Sequence, residues 1–190
     1  MSVLRFFAIF FFALTMAASA SQGFQPISPE ELKMTGEPLA PGAPAIILYR
    51  EVNRDDSGVD TREDNYVRIK ILTEEGRKYA DVEIPFLKEQ NDVSGVKART
   101  IRPDGAVVNF DGKIYEKALV KRKGIRFMAK TFTLPDVQVG GIIEYSYSYD
   151  FKEKYIFDSH WILNEELFTK KAKFSLRPYE PRYENWNVRW

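Results

Sequence analysis

The sequence predicts an all-β fold, an antiparallel β-sandwich with a short N-terminal helix. Apolar and polar residues alternate along short segments, most clearly in 65–73 (NYVRIKILT) and 142–151 (IIEYSYSYDF), which is typical of half-buried strands. Such segments recur about every 8–15 residues, with turn residues between them. The capping box Ser28-Pro29-Glu30-Glu31 predicts one short helix ending near Met34. This pattern favours a sandwich over βαβ units.

The predicted strands follow one another along the rest of the chain. They are, in order, 45–52, 65–73, 79–85, 96–101, 106–110, 114–117, 126–134, 142–151, 155–163 and 171–176. Turn residues separate them, as at Pro103-Asp104-Gly105, where proline sets the first central angle and glycine supplies positive φ. Residues 37–44 (EPLAPGAP) predict an extended proline-rich link, and 165–170 fit either a helical turn or a bulged connection.

The first twenty residues are predicted to be a signal peptide. Arg5 precedes the apolar run 6–16 (FFAIFFFALTM), and Ala18-Ser19-Ala20 is a small-residue cleavage signal. The run is short for a membrane span, which needs about 20 residues. We therefore predict export to the periplasm, cell surface or medium after cleavage near Ala20, and no membrane span in the mature chain. Residues 21–43 form a helix and linker, and 44–190 form the sandwich domain.

Composition excludes several function classes. The 190 residues contain no cysteine and one histidine, so disulfides, cysteine-ligated metals, a cysteine nucleophile and multi-histidine sites are excluded. The formal net charge of +1 gives no global attraction for nucleic acid. The sequence thus predicts no cofactor, no metal and no nucleic-acid partner.

Four motifs in order resemble the DUF3857 family. They are IKILTEEG at 69–76, ARTIRPDG at 98–105, FTLPDV at 132–137 followed by GGIIEYSY at 140–147, and WIL at 161–163. Each motif alone is weak, because turn glycines and alternating strands are common, but their order across 44–177 is more specific. The resemblance implies an exported bacterial β-sandwich domain that usually lies N-terminal to a transglutaminase-like domain of the cysteine-protease type. It supplies no catalytic residues for this chain.

His160 is the strongest single candidate for catalysis. It lies in Phe157-Asp158-Ser159-His160-Trp161, and an Asp–His–Ser set could support acyl transfer. Adjacent strand residues point to opposite faces, so Ser159 and His160 would diverge. There is also no G-x-S-x-G elbow. We therefore predict no catalytic residue in this chain.

Three other groups have both a binding and a structural interpretation. The stripe Ile143, Tyr145, Tyr147, Tyr149 and Phe151 could stack on sugars, but core packing is favoured, with Glu144, Ser146 and Ser148 on the other face. The acids Asp55, Asp56, Asp60 and Asp64 could hold Ca²⁺, but their spacing does not match an EF-hand. The basic residues Lys117, Lys121, Arg122, Lys123, Arg126 and Lys130 could bind an anionic polymer or lipid headgroup, but a solvated hairpin is favoured.

The function that these observations favour is a non-catalytic accessory domain that packs on or positions a downstream transglutaminase-like domain. The alternative is a module that binds carbohydrate or another envelope polymer through exposed aromatic residues. The chain ends at Trp190, so it is either a fragment of a longer protein or a stand-alone N-terminal module.

Overall fold

The computed structural model describes residues 23–58, 60–122, 125–152 and 166–179. In this part of the chain a helix, α1 (Pro29–Lys33), and a 3₁₀ helix (Glu75–Ala80) accompany nine strands. The strands are β1 (Ala45–Asp55), β2 (Arg62–Ile71), β3 (Asp81–Leu87), β4 (Asn91–Ile101), β5 (Val107–Asn109), β6 (Tyr115–Arg122), β7 (Ile125–Thr133), β8 (Ile142–Phe151) and β9 (Ala172–Arg177).

The strands form two sheets, and the predicted all-β sandwich is confirmed. The larger sheet has the order β5-β4-β8-β2-β1-β9, and the smaller has the order β3-β7-β6. All neighbours are antiparallel except β9, which runs parallel to β1. This parallel pair departs from the purely antiparallel prediction. β8 and β9 also run in the same direction, because β8 and β1 are both antiparallel to β2. The chain between β8 and β9 is long enough for the crossover that strands of the same direction require.

The main core lies between the sheets and follows from the alternation along each strand. Ile69 of β2 and Ile143 of β8 point inwards from the large sheet, and Ile84 and Phe132 point inwards from the small sheet. A second apolar cluster lies on the other face of the large sheet. It joins Ile46, Leu48, Ile101 and Ile142 to Ile27, Leu32 and Met34 from the N-terminal residues.

Two glycines are required by their positions. A Cβ on Gly76 would lie 2.0 Å from the carbonyl oxygen of Pro44, and that oxygen accepts hydrogen bonds from the amides of Leu72 and Thr73. Gly105 has φ of 87°, and its amide donates to the Arg102 carbonyl at 2.9 Å. The second arrangement confirms the turn that was predicted at Pro103-Asp104-Gly105.

Local hydrogen bonds explain where the elements differ from prediction. Tyr79 and Ala80, expected to begin a strand, instead end the 3₁₀ helix. Residues 37–44, expected to be extended, form turns in which the Ala40 amide donates to Glu37 and the Ala43 amide to Ala40. The predicted helix is confirmed, with Ser28 as its N-cap and both capping-box bonds present. The predicted strand 155–163 lies outside the described residues.

Candidate functional site

The outer face of the six-stranded sheet has a covered half and an open half. Residues 23–34, here called the N-terminal segment, lie over the covered half and include α1. The other half lines a polar groove, built from outward-facing residues of four neighbouring strands. Both halves contain polar side chains that the fold brings together from separate strands.

Charged side chains are buried beneath the N-terminal segment. Arg68 of β2 lies opposite Glu144 of β8, which lies opposite Arg99 of β4. Glu144 is fully buried and Arg68 is 4% exposed. Arg68 Nε donates to Glu144 Oε1 at 2.7 Å, and Arg99 Nε donates to Oε2 at 2.5 Å. The hydroxyl of Tyr66 donates to the same carboxylate, so both oxygens of Glu144 are engaged.

The same charges hold the N-terminal segment in place. Arg68 Nη1 donates to both carboxylate oxygens of Glu31 at 2.9 Å, and Nη2 donates to the Gln25 carbonyl at 2.8 Å. Glu31 also accepts from the Ser28 amide at 2.8 Å as part of the capping box. The buried ion cluster, defined as Glu31, Arg68, Arg99 and Glu144, therefore joins the helix to the sheet.

Lys70 makes a second attachment beside the cluster. It is fully buried, and its Nζ donates to the carbonyl oxygens of Leu32 at 2.7 Å and Gly140 at 2.6 Å. Burial lowers the pKa of Lys70, and the negative charge of Glu31 partly opposes this. The two carbonyl acceptors provide the hydrogen bonds that a buried ammonium group needs.

The protonation states suit a structural role. Burial, reinforced by the Glu144 carboxylate, raises the pKa of Tyr66, so its hydroxyl remains a donor. Burial alone would lower the pKa of Arg68, but the attraction of Glu144 and Glu31 is larger in sum and raises it. Arg68 and Tyr66 are thus held as a cation and a neutral donor, with protein groups as their partners. This arrangement fixes the segment and presents no activated nucleophile.

The polar groove has a volume of about 550 Å³. Ser146 and Ser148 of β8 and Asp64 of β2 contribute to it, with Glu51 of β1 and Lys97 of β4. Arg62 Nε donates to Asp64 at 2.8 Å, and Nη2 donates to Ser148 Oγ at 2.7 Å. The groove can donate and accept hydrogen bonds, and we treat it as the candidate binding site.

The tyrosine stripe lies on the core face, as predicted. Ile143 is fully buried, and Tyr145, Tyr147 and Tyr149 pack against the inter-sheet core. The hydroxyl of Tyr149 donates to the Pro85 carbonyl at 2.8 Å, so its ring is inside and its polar end is at the rim. Phe151 is half-buried, and the Arg54 guanidinium lies 3.9 Å from its ring centroid.

The acidic residues of the β1–β2 hairpin do not converge on one site. Asp56 is buried and pairs with Arg54 Nε at 2.6 Å, whereas Asp64 belongs to the polar groove. Asp55 accepts from the hydroxyl and amide of Ser57, and these bonds lower its pKa. Asp60 is exposed. Among the described residues, no group of three or more acids or histidines is placed to hold a metal ion.

The basic stretch lies on the β6–β7 hairpin, where several of its side chains are paired. Lys117 contacts Glu83 at 2.6 Å, Arg126 contacts Glu89 at 2.6 Å, and Lys130 contacts Glu116 at 2.7 Å. These ion pairs involve three of the six basic residues of the stretch. Lys123 lies outside the described residues, and so do Asp158, Ser159, His160 and Trp161.

The burial of Arg68, Lys70 and Glu144 was missed by sequence reasoning. Their alternation with apolar neighbours placed them on the face opposite the core, but it did not show that this face is covered, because alternation shows only that two faces differ. One signal in the sequence could have shown that this face is covered. The N-terminal segment contains apolar residues such as Ile27 and Leu32, which must pack against another surface to be buried. Oppositely charged residues on three separate strands were a second signal.

The fold and this face define a class of protein, a β-sandwich domain with an ion-paired N-terminal cover. The family model of DUF3857, described as a domain of unknown function with a solved structure, matches residues 60–183. The chain therefore belongs to the DUF3857 family, as its motifs predicted. No curated protein matches the chain.

Comparison with solved structures gives one match that shares the fold and others with much lower similarity. A provisionally assigned protease from Parabacteroides distasonis has 15% identity and a TM-score of 0.62, over 70% of this chain and 28% of that chain. Leukotriene A4 hydrolase from yeast, in complex with bestatin, has 13% identity and a TM-score of 0.30, over 66% of this chain and 19% of that chain. The chain thus spans less than a third of either protein. In the part of the chain that the structure describes, no helix is long and apolar enough to cross a membrane.

Proposed function

We propose that this chain is a non-catalytic accessory domain of an exported bacterial protein, and that it packs on and positions a neighbouring transglutaminase-like domain. The observation that carries the proposal is the shared fold with the Parabacteroides distasonis protein, where the matched region is 28% of a longer chain. That protein is provisionally assigned as a protease. By analogy with this match, the proposal treats the sandwich as one part of a longer protein.

The apolar side chains that the domain leaves exposed support a contact with such a neighbour. Tyr115 is 62% exposed and Val120 is 48% exposed on β6, which is an edge strand of the small sheet. Ile114, directly before β6, is also exposed. Tyrosine is enriched among the anchors of protein–protein interfaces, and apolar side chains beside it can complete the buried centre of an interface. We assign β6 as the docking edge.

The alternative of carbohydrate binding through the tyrosine stripe has less support. Tyr145, Tyr147 and Tyr149 pack against the inter-sheet core, so their faces are not presented as a stacking platform. Tyr66 is also buried and its hydroxyl bonds Glu144. An aromatic binding surface would have to be built elsewhere on the chain.

The first test measures complex formation. The purified chain is mixed with the transglutaminase-like domain encoded with it, and association is followed by calorimetry. Tyr115→Asp and Val120→Asp should each weaken association at least tenfold, because a buried charge replaces an interface anchor. Leu39→Asp is the matched control, since Leu39 is 78% exposed and distant in sequence from β6. No association, or equal weakening by Leu39→Asp, would overturn the proposal.

The second test concerns catalytic activity. The purified chain should turn over neither peptide nor ester substrates. Reproducible turnover that His160→Ala abolishes would contradict the non-catalytic assignment.

The predicted export should remove residues 1–20, and mass spectrometry of exported material that retains Met1 would contradict cleavage.

A further inference from the structure

The polar groove differs from an ordinary solvated sheet face in its shape. Its centre holds small side chains, Ser146 and Ser148, while longer side chains such as Glu51, Arg62 and Lys97 also line it. A β-bulge between Ser94 and Lys97 makes the surface of β4 irregular, and Gly95 in this bulge has φ of 61°. The volume of about 550 Å³ is within the range of small-molecule sites.

Several polar groups of the groove are held in fixed positions. Ser148 Oγ accepts from Arg62 Nη2 at 2.7 Å and donates to Asp64 Oδ1 at 2.5 Å. Glu51 accepts from the Tyr49 hydroxyl at 3.0 Å and from Lys173 Nζ at 2.7 Å. The bond from Lys173, followed by that from Tyr49, lowers the pKa of Glu51 against the effect of burial. Such pre-organisation reduces the ordering cost of binding.

Hydrogen-bonding capacity remains at the centre and wall of the groove. Within the described part of the chain, neither the Ser146 hydroxyl nor the Lys97 ammonium has a hydrogen-bond partner. Glu51 and Asp64 balance Arg62 and Lys97 among the charged lining residues, so the groove has no net formal charge. It offers both donors and acceptors to a neutral ligand.

The backbone amide and carbonyl groups beneath the groove are not available to bind a ligand. β2 and β8 are interior strands, paired on both sides, so an added peptide strand has no free ladder there. Recognition must come from side-chain hydroxyl, amide and charged groups. A ligand with many hydroxyl groups suits such a set, because each hydroxyl both donates and accepts.

We propose that the polar groove is a binding site for a neutral saccharide segment, which accepts hydrogen bonds from Ser146 and Lys97 and donates hydrogen bonds to Glu51 and Ser148. The site is separate from the β6 edge, and the proposal stands independently of the accessory role. Neither aromatic residue that lines the groove offers an exposed ring for stacking on the sugar, because Tyr66 is buried and Tyr147 packs against the inter-sheet core. Hydrogen bonds made in exchange for water give modest affinity, so dissociation constants of about 1 mM are expected.

The experiment is an NMR titration of the isotope-labelled full chain. The neutral probes are chitohexaose, maltohexaose and cellohexaose, with trigalacturonate as the anionic comparison and a glycine–serine hexapeptide as the peptide comparison. At least one neutral oligosaccharide should give saturable shifts of backbone amides in 146–148, 51–53 and 62–66. Ser146→Val and Lys97→Gln should each weaken that binding about fivefold.

Thr133→Val is the matched control. Thr133 is an exposed hydroxyl residue of the small sheet, bonded to Asp81, and its removal should leave saccharide binding unchanged. The proposal is overturned if none of the three neutral oligosaccharides gives saturable shifts, or if both groove variants bind as the unmodified chain does. Preferred binding of trigalacturonate or of the hexapeptide also overturns it.

Discussion

Replacing Glu144 by glutamine tests whether the buried ion cluster holds the domain together. The substitution preserves the size and shape of the side chain, so it creates no cavity. It removes the negative charge that lies between Arg68 Nε at 2.7 Å and Arg99 Nε at 2.5 Å. Glutamine also presents an amide nitrogen to one of these donors, where the carboxylate presented an acceptor.

The expected loss is large because Glu144 is fully buried. Removing one partner of a buried ion pair typically costs about 3–5 kcal/mol, against a total stability of about 5–15 kcal/mol. With a urea dependence of about 2 kcal/mol per molar, the unfolding midpoint should fall by about 1.5–2.5 M.

The assay is urea denaturation followed by circular dichroism, with Glu83→Gln as the matched control. Glu83 pairs with Lys117 at 2.6 Å, but its side chain is 43% exposed and that of Lys117 is 55% exposed. The same chemical change should therefore lower stability by less than about 1 kcal/mol. Equal midpoints for the two variants would refute the reasoning, because Glu144 is buried between two arginines, whereas Glu83 is exposed and pairs with one lysine.

Three further predictions concern the core and its titrating groups. Tyr147→Ala should lower the unfolding free energy by about 3–5 kcal/mol, whereas Ser146→Ala should change it by less than about 0.5 kcal/mol; an unchanged melting temperature for Tyr147→Ala would contradict core packing. Hydrogen bonds from Lys130 and Lys88 lower the pKa of Glu116 to about 2, so its stabilisation is complete above its ordinary value of 4.5 and is lost as the pH falls through about 2. Glu116→Gln should flatten the urea midpoint across that range, and a slope identical to that of the unmodified chain would contradict the assignment. Burial raises the pKa of Tyr149 to about 12, so its contribution is present below its ordinary value of 10.0 and is lost as the pH rises through about 12; Tyr149→Phe should remove one late step from the tyrosinate absorbance titration, and no change there would argue against it.

Elements with a strong local signal were predictable from the sequence. The strand Ile142–Phe151 has its predicted bounds, because alternation runs unbroken along it and turn residues precede it. The helix beginning at Pro29 was predictable because its cap is local, with Ser28 and Glu31 satisfying each other's backbone partners. Such features depend on neighbours within four residues, so a single sequence contains the whole signal.

Features that depend on distant contacts were not predictable in the same way. Glu37 was assigned to an extended link, yet it is buried and pairs with Lys170 at 2.8 Å. Glu144 was placed on the face opposite the core, and the sequence did not show that Arg68, Arg99 and the N-terminal segment enclose it there. The polar groove combines four strands, and its position depends on which half of the sheet the N-terminal segment covers. Alternation specifies the two faces of a strand, but it does not specify which segment covers one of them.

Hydrogen exchange of the chain, alone and mixed with the transglutaminase-like domain that is proposed as its neighbour, tests the accessory role most directly. If β6 is the docking edge, amides of residues 114–120 should gain protection in the complex while those of 146–148 in the polar groove keep their free-state rates. Unchanged exchange at residues 114–120, with protection at the groove or nowhere in the described residues, would contradict the proposed role.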